Sequence, residues 1–149
     1  MTVAHQFAQE VGETWGKALT SAMTTGDMTE FKALFVSDEA VGVVVQSVEG
    51  TEVVMTIGDV EGATLSWDEF KESFMKDLDE QGYLKTESQC LGVLGDRMIL
   101  EAGRFNKAGE EYMSAYSLLT LNAEGKITMF ESFSDAQAPG LIQAASVSE

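Results

Sequence analysis

The chain has 149 residues, 44% of them hydrophobic, which suits one domain that buries a sizeable core. Against nine basic residues stand 25 acidic ones, a net charge of −16, which argues against nucleic-acid binding, where Lys and Arg must neutralise phosphates, and against anionic membrane surfaces. No run reaches the roughly 18 apolar residues of a membrane span, and the single cysteine, Cys90, allows no intrachain disulfide.

The first residues lack a basic region followed by an apolar core, so no secretory signal is expected and a cytoplasmic location is. Residues 3–24 carry a helical stripe in which Val3, Phe7, Val11, Trp15, Ala18 and Ala22 recur at helical spacing, flanked by Leu19 and Met23. Gly26 breaks this helix. Asp27 opens a second, with Glu30 at the capping-box position and Met28, Phe31, Leu34 and Phe35 as its apolar face. Residues 41–58 read as two strands around a Glu49-Gly50 hairpin turn. Ser66 and Glu69 form a capping box for a third helix, whose stripe is Trp67, Phe70, Phe74 and Leu78 and whose end is Gly82. Four strands follow, at 84–94, 97–107, 111–122 and 126–135, joined by short turn-like links. Residues 1–135 form the domain and 136–149 a tail.

This order predicts an α+β fold in which three amphipathic helices pack on a strongly curved, antiparallel six-stranded sheet. The helices and sheet close into a cone, packed solid at its narrow end and hollow at its wide end. A hollow lined by apolar groups and a few polar ones suits a small molecule.

Particular residues carry a family resemblance. The series Trp15, Ala18-Leu19, Gly26-Asp27, Phe31 and Leu34 through Val41, then Ser66–Phe70, Gly125-Lys126-Ile127 and Phe133-Ser134-Asp135, resembles the NTF2-like superfamily in its SnoaL-like and ketosteroid-isomerase-like branch. The resemblance runs from residue 5 to residue 135 and implies a cystatin-like cone. It is specific for scaffold rather than activity, because function lives in a grafted site. The positions matching the ketosteroid-isomerase base, tyrosine and acid hold Val43 or Val44, Leu19 and Ser117. Those matching the Asp-Arg-Asp set of limonene-epoxide hydrolases hold Glu101, Gly103 and Ser132. Scytalone dehydratases need pocket histidines, and the sole histidine is His5. Where SnoaL-like cyclases use an aspartate near the last strand, Ser132 stands.

Strand alternation divides each strand into two sets. By the resemblance, Phe130 and Ser132 point into the cone. Ile99, Glu101 and Gly103 are expected beside them, with Ser114, Tyr116 and Leu118. Which face of that strand points inward stays open, because a bulge inverts it. Trp15, Leu19, Phe35, Phe70 and Phe74 complete the expected lining. A Glu101 buried there titrates toward neutrality and serves as a general acid or base, with Tyr116 as donor. Equally, Glu101 pairs with a cation or faces water. His5 reads as a surface or capping residue, Cys90 as a small buried hydrophobe, and the methionines as packing. No metal ligands and no cofactor are expected.

Three functions follow. The first is a SnoaL-like protein holding a small apolar molecule. The second is a cofactor-free isomerase, cyclase or dehydratase using Glu101. The third is a protein-interaction module. The set Leu100, Ala102, Met113, Ala115, Leu119, Met129 and Phe133 is expected on the convex face, where its apolar character predicts a two-fold homodimer.

Overall fold

The N-terminal stripe forms helix α1, Val3–Thr25, in a computed structural model that describes residues 3–46 and 52–133. Some side chains within those ranges, Phe74 and Phe133 among them, lie outside that description. Val11, Trp15, Ala18, Leu19, Ala22 and Met23 are buried along one side of α1. Gly26 ends the helix at a φ of 81°, a left-handed conformation that glycine adopts without steric cost.

Helix α2 is shorter than its apolar face predicts, a single turn at Thr29–Lys32. Asp27 accepts hydrogen bonds from the Thr29 amide and hydroxyl, at 3.0 and 2.6 Å, while the capping box expected with Glu30 is not formed. The reason for the early stop lies downstream. The amides of Leu34 and Phe35 turn to i−3 carbonyls, those of Phe31 and Lys32. The Leu34 carbonyl and Val36 amide then bond to the backbone of Ile127. The last strand takes the groups that a longer helix needs.

Strands β1 (Val41–Gln46) and β2 (Glu52–Ile57) pair antiparallel with Val41 opposite Ile57 and Gln46 opposite Glu52. The Glu49-Gly50 turn itself lies outside the described residues. Helix α3, Trp67–Gln81, has the predicted capping box. The Ser66 hydroxyl accepts from the Glu69 amide and the Glu69 carboxylate accepts from the Ser66 amide. Gly82 closes the helix in the left-handed conformation. Strands β3 (Tyr83–Leu94), β4 (Arg97–Asn106), β5 (Glu111–Leu121) and β6 (Ile127–Phe133) follow within a residue or two of their predicted bounds.

The strands form one six-stranded sheet in the order β2-β1-β6-β5-β4-β3. The expected all-antiparallel pairing needs one correction, since β6 runs parallel to β1. The chain leaves the β1–β2 hairpin through α3, builds three further strands, and brings β6 alongside β1 in the same direction. With strands ~4.8 Å apart, a flat sheet would separate β2 from β4 by roughly 19 Å. Yet Met55 of β2 and Arg104 of β4 line the same hollow, so the sheet curls into a cup. Register shifts interrupt β3, the β4–β5 pair and the β5–β6 pair, the irregularities that let long strands bend.

Helix α1 lies across β3, an edge strand, at very short range. A Cβ on Gly12 would stand 2.5 Å from the Cys90 amide nitrogen, and one on Gly16 would stand 2.9 Å from the Thr86 carbonyl oxygen. The closeness is used. The Ser88 hydroxyl accepts from the Gly16 amide and donates to the Gly12 carbonyl, inserting itself between successive turns of the helix. The Thr20 hydroxyl accepts from the Thr86 amide. An outward-facing edge amide is thereby satisfied rather than left to pair with another chain.

Candidate functional site

The cup encloses a cavity of about 350 Å³. Its floor and walls come from every layer of the fold. Helix α1 contributes Trp15 and Leu19, the segment after α2 contributes Phe35, and α3 contributes Trp67 and Phe70. From the sheet come Val41, Val43, Met55 and Ile57 on one side, and Leu100, Ala102, Met113, Ala115 and Phe130 on the other. Both tryptophans of the chain are in this wall. Trp15 stacks on Phe130 with ring centres 5.5 Å apart and planes 4° from parallel. Phe35 meets Trp67 at 4.9 Å, and Phe31, fully buried behind them, meets Trp15 edge-on at 5.0 Å. Such ring contacts add to area burial and hold the wall in one geometry.

The polar lining is sparse: the hydroxyl residues Thr86, Ser117 and Ser132, and one charged residue, Arg104. Thr86 and Ser117 are buried. The Thr86 hydroxyl is 2.7 Å from that of Tyr83. Among the described residues no buried side-chain polar atom lacks a partner. The lining residues described include no carboxylate and no imidazole. Nor, among the described residues, do three His, Cys, Asp or Glu side chains group as a metal site.

The expected lining divides cleanly. Trp15, Leu19, Phe35, Phe70, Phe130 and Ser132 stand in the cavity wall. The Phe74 side chain is outside the described residues. Ile99, Glu101, Gly103, Ser114, Tyr116 and Leu118 stand on the opposite, convex face of the sheet. Ile99 and Leu118 are buried there among Leu91 and Leu94. Glu101, Gly103, Ser114 and Tyr116 line a shallow polar groove with Glu87, Gln89 and Glu111. Conversely Leu100, Ala102, Met113, Ala115 and Leu119, expected outside, belong to the interior face. Five of the seven residues from which an apolar convex surface was expected are thus interior, and a groove with three carboxylates lies on that face; Met129 remains exposed, and the Phe133 side chain is outside the described residues.

The correction has a definite cause. The inward assignment of Phe130 and Ser132 agrees with the structure, but the register carries it to different partners on the neighbouring strands. Ser132 pairs with Ser117, which pairs with Leu100, and Leu119 pairs with Phe130. A one-residue slip in pairing moves a whole set of side chains to the other face. The register is fixed by the β5–β6 hairpin. There the Asn122 side chain accepts from the Glu124 and Lys126 amides, at 2.9 and 3.0 Å, and a shift separates the Thr120 and Leu121 pairings. A signal was present in the chain. The set with Glu101 puts a carboxylate in mid-strand, whereas the set with Leu100 carries its charge, Arg104, near a strand end.

Glu101 is partly exposed and accepts a hydrogen bond from the Gln89 amide group at 2.8 Å. Its neighbours are the groove residues Glu87, Ser114 and Glu111 rather than the apolar lining expected. The shifted carboxyls are structural. The Asp59 carboxyl is held below its ordinary value by the hydrogen-bonded Lys32 ammonium, 2.8 Å away, and by the Trp67 amide at 3.2 Å. This exposed link ties the loop before α3 to α2 and so fixes the start of the cavity's α3 wall. Asp27 is lowered by its bonds from the Thr29 hydroxyl and amide.

No family model matches the chain, and no curated protein does. Solved structures do share its path. A de novo designed NTF2-fold protein superposes with a TM-score of 0.49 at 13% identity, covering 87% of this chain and 88% of its own. A protein from Mesorhizobium loti, provisionally described as a SnoaL-like polyketide cyclase, gives 0.45 at 19% identity over 90% of this chain and all of its own. An NTF2-like protein of unknown function from Exiguobacterium gives 0.45 at 16% identity, covering 82% and 95%. These are likenesses of chain path, and no ligand or activity passes from them to this chain.

Proposed function

We propose that this chain, an NTF2-like protein of the SnoaL-like branch, binds a small, largely apolar molecule in its cup. The observation that carries the reading is the cavity of about 350 Å³ walled by Trp15, Phe35, Trp67, Phe70 and Phe130. A hollow of that size falls within the range of small-molecule sites, and its mix of many apolar and few polar groups is theirs. At ~30 Å³ for each water-sized group, it admits on the order of a dozen non-hydrogen atoms. An open cavity also favours ligand binding over a module that acts only through its outer surface. Proton-transfer chemistry has less support, because Glu101 and Tyr116 stand across the sheet from the cavity and the described lining offers no other carboxylate or imidazole.

The two tryptophans supply the test. Titration with decanol is expected to change intrinsic fluorescence with saturation, and native mass spectrometry to give one ligand per chain. Ala115→Phe fills the hollow from β5 and abolishes the response, whereas Ser114→Phe, one residue along and on the opposite face, preserves it. A response that survives Ala115→Phe unchanged would remove the cavity as the binding site.

A further inference from the structure

We propose that Ser117 and Ser132 are the polar anchor of the cup and select molecules whose apolar body carries an uncharged hydroxyl group; this rests on the binding reading above. The two serines are direct cross-strand partners on β5 and β6, and both line the cavity. Side chains paired in this way have Cβ atoms ~5 Å apart, close enough for two hydroxyls to reach one ligand atom. Ser117 is 3% exposed, yet its hydroxyl has no hydrogen-bond partner among the described residues, and neither has that of Ser132. Every fully enclosed side-chain polar atom among the described residues does have one, so the Ser117 hydroxyl is not sealed in. The small surface it keeps open faces the cavity that Ser117 lines. The other polar groups described in the wall are committed. The Thr86 hydroxyl lies 2.7 Å from that of Tyr83, and Arg104 is already engaged. Around the serines the wall is apolar, with Leu100 opposite Ser117 on β4 and Ala115 and Phe130 two residues along their own strands.

That arrangement sorts ligands by what they bring to the serines. The apolar part of any ligand gains by entering the aromatic wall. A molecule that fills the cup also displaces water from both hydroxyls and must replace the hydrogen bonds they made to it. A hydrocarbon offers none, and a buried hydroxyl left unpaired costs on the order of tenfold in affinity. An ionised group brought to Ser117 loses its hydration among apolar neighbours, and two neutral hydroxyls do not restore it. A ligand hydroxyl meets both demands. Serine hydroxyls donate and accept, so it accepts from Ser117 and donates to Ser132. Ser132 is half-buried and keeps water for its own proton.

The test compares 3-phenylpropanol with butylbenzene, in which a methyl group replaces the hydroxyl, by equilibrium dialysis against wild-type protein and the Ser117→Ala/Ser132→Ala double variant. An alcohol is better hydrated than a hydrocarbon, so the readout is the change in their affinity ratio rather than their ranking. The double variant is expected to bind 3-phenylpropanol about tenfold more weakly and butylbenzene as tightly as wild type or more so. An unchanged ratio in the folded double variant overturns the proposal. So does an equal weakening of both probes, which assigns the loss to the shape of the cavity. If the double variant does not fold by circular dichroism, Ser132→Ala alone, at the half-buried position, decides by the same ratio. Wild-type binding of butylbenzene without 3-phenylpropanol removes the role of the serines and leaves the cavity reading standing, whereas binding of neither probe overturns the cavity reading itself.

Discussion

The two faces of β4 and β5 are built from adjacent residues and do opposite things. On the inner face, Leu100, Ala102, Ala115 and Ser117 border a cavity walled by rings. On the outer face, Glu101, Gly103, Ser114 and Tyr116 border a polar groove flanked by Glu87 and Glu111. Each residue of one face is a chain neighbour of a residue of the other, so local sequence differs little between them. What differs is what lies opposite. The inner face meets α1, α3 and the curl of β1 and β2, while the outer face buries Ile99 and Leu118 beside Leu91 and Leu94 and leaves Glu101 and its groove neighbours at the surface. A side chain on such a sheet takes its role from which layer covers it.

The difference between the faces is open to direct attack. Leu100 is 1% exposed and Glu101 is partly exposed. Leu100→Glu is expected to cost at least about 4 kcal/mol by burying an unpaired carboxylate and to prevent folding of the domain. Glu101→Leu is expected to lie within about 1 kcal/mol of wild type. Urea unfolding of the pair measures the contrast, and equal losses would place both residues in similar surroundings. A second comparison concerns how α1 is held over the inner layer. Gly12→Val forces a branched side chain against the Cys90 backbone and is expected to cost about 2–3 kcal/mol, read as a lowered urea midpoint. Introducing Val in place of Gly109, where nothing lies within 4 Å but φ is 83°, tests backbone strain without crowding and is expected to cost about 1–2 kcal/mol.

The smallest effect belongs to the exposed link between Asp59 and Lys32. The Asp59 carboxyl has a folded pKa below its unfolded value, so the unfolded chain takes up its proton first as pH falls. Its stabilisation is complete above the ordinary aspartate value of 3.8 and is lost as pH drops through the lower folded value. Asp59→Asn is expected to lower the melting temperature by no more than a few degrees near neutrality. The difference from wild type should shrink at acid pH, and a constant difference across that range would assign the effect to something other than the charge.

Much of this molecule is legible from its residues alone. The stripe through Trp15 and Leu19 gives α1, Ser66 with Glu69 starts α3, Gly82 ends it, and the long alternating runs place β3 through β6 within a residue or two. These signals are local, because periodicity, capping and left-handed glycines act over a few residues. Six members of the cavity wall, from Trp15 to Ser132, follow from such stripes together with the family resemblance. The length of α2 does not, since Ile127, far along the chain, claims the backbone groups of Leu34 and Val36. Nor does the inner position of Leu100, Ala102 and Arg104. Alternation sorts a strand into two sets but carries no sign. The sign comes from register, fixed here by the Asn122 hairpin and its shift at Leu121, and from the helices that cover one side. The sequence by itself determined the elements and the membership of each set. Only the tertiary structure decided which set faces the cavity, because pairing across strands and burial under α1 and α3 are non-local interactions that no window of residues contains.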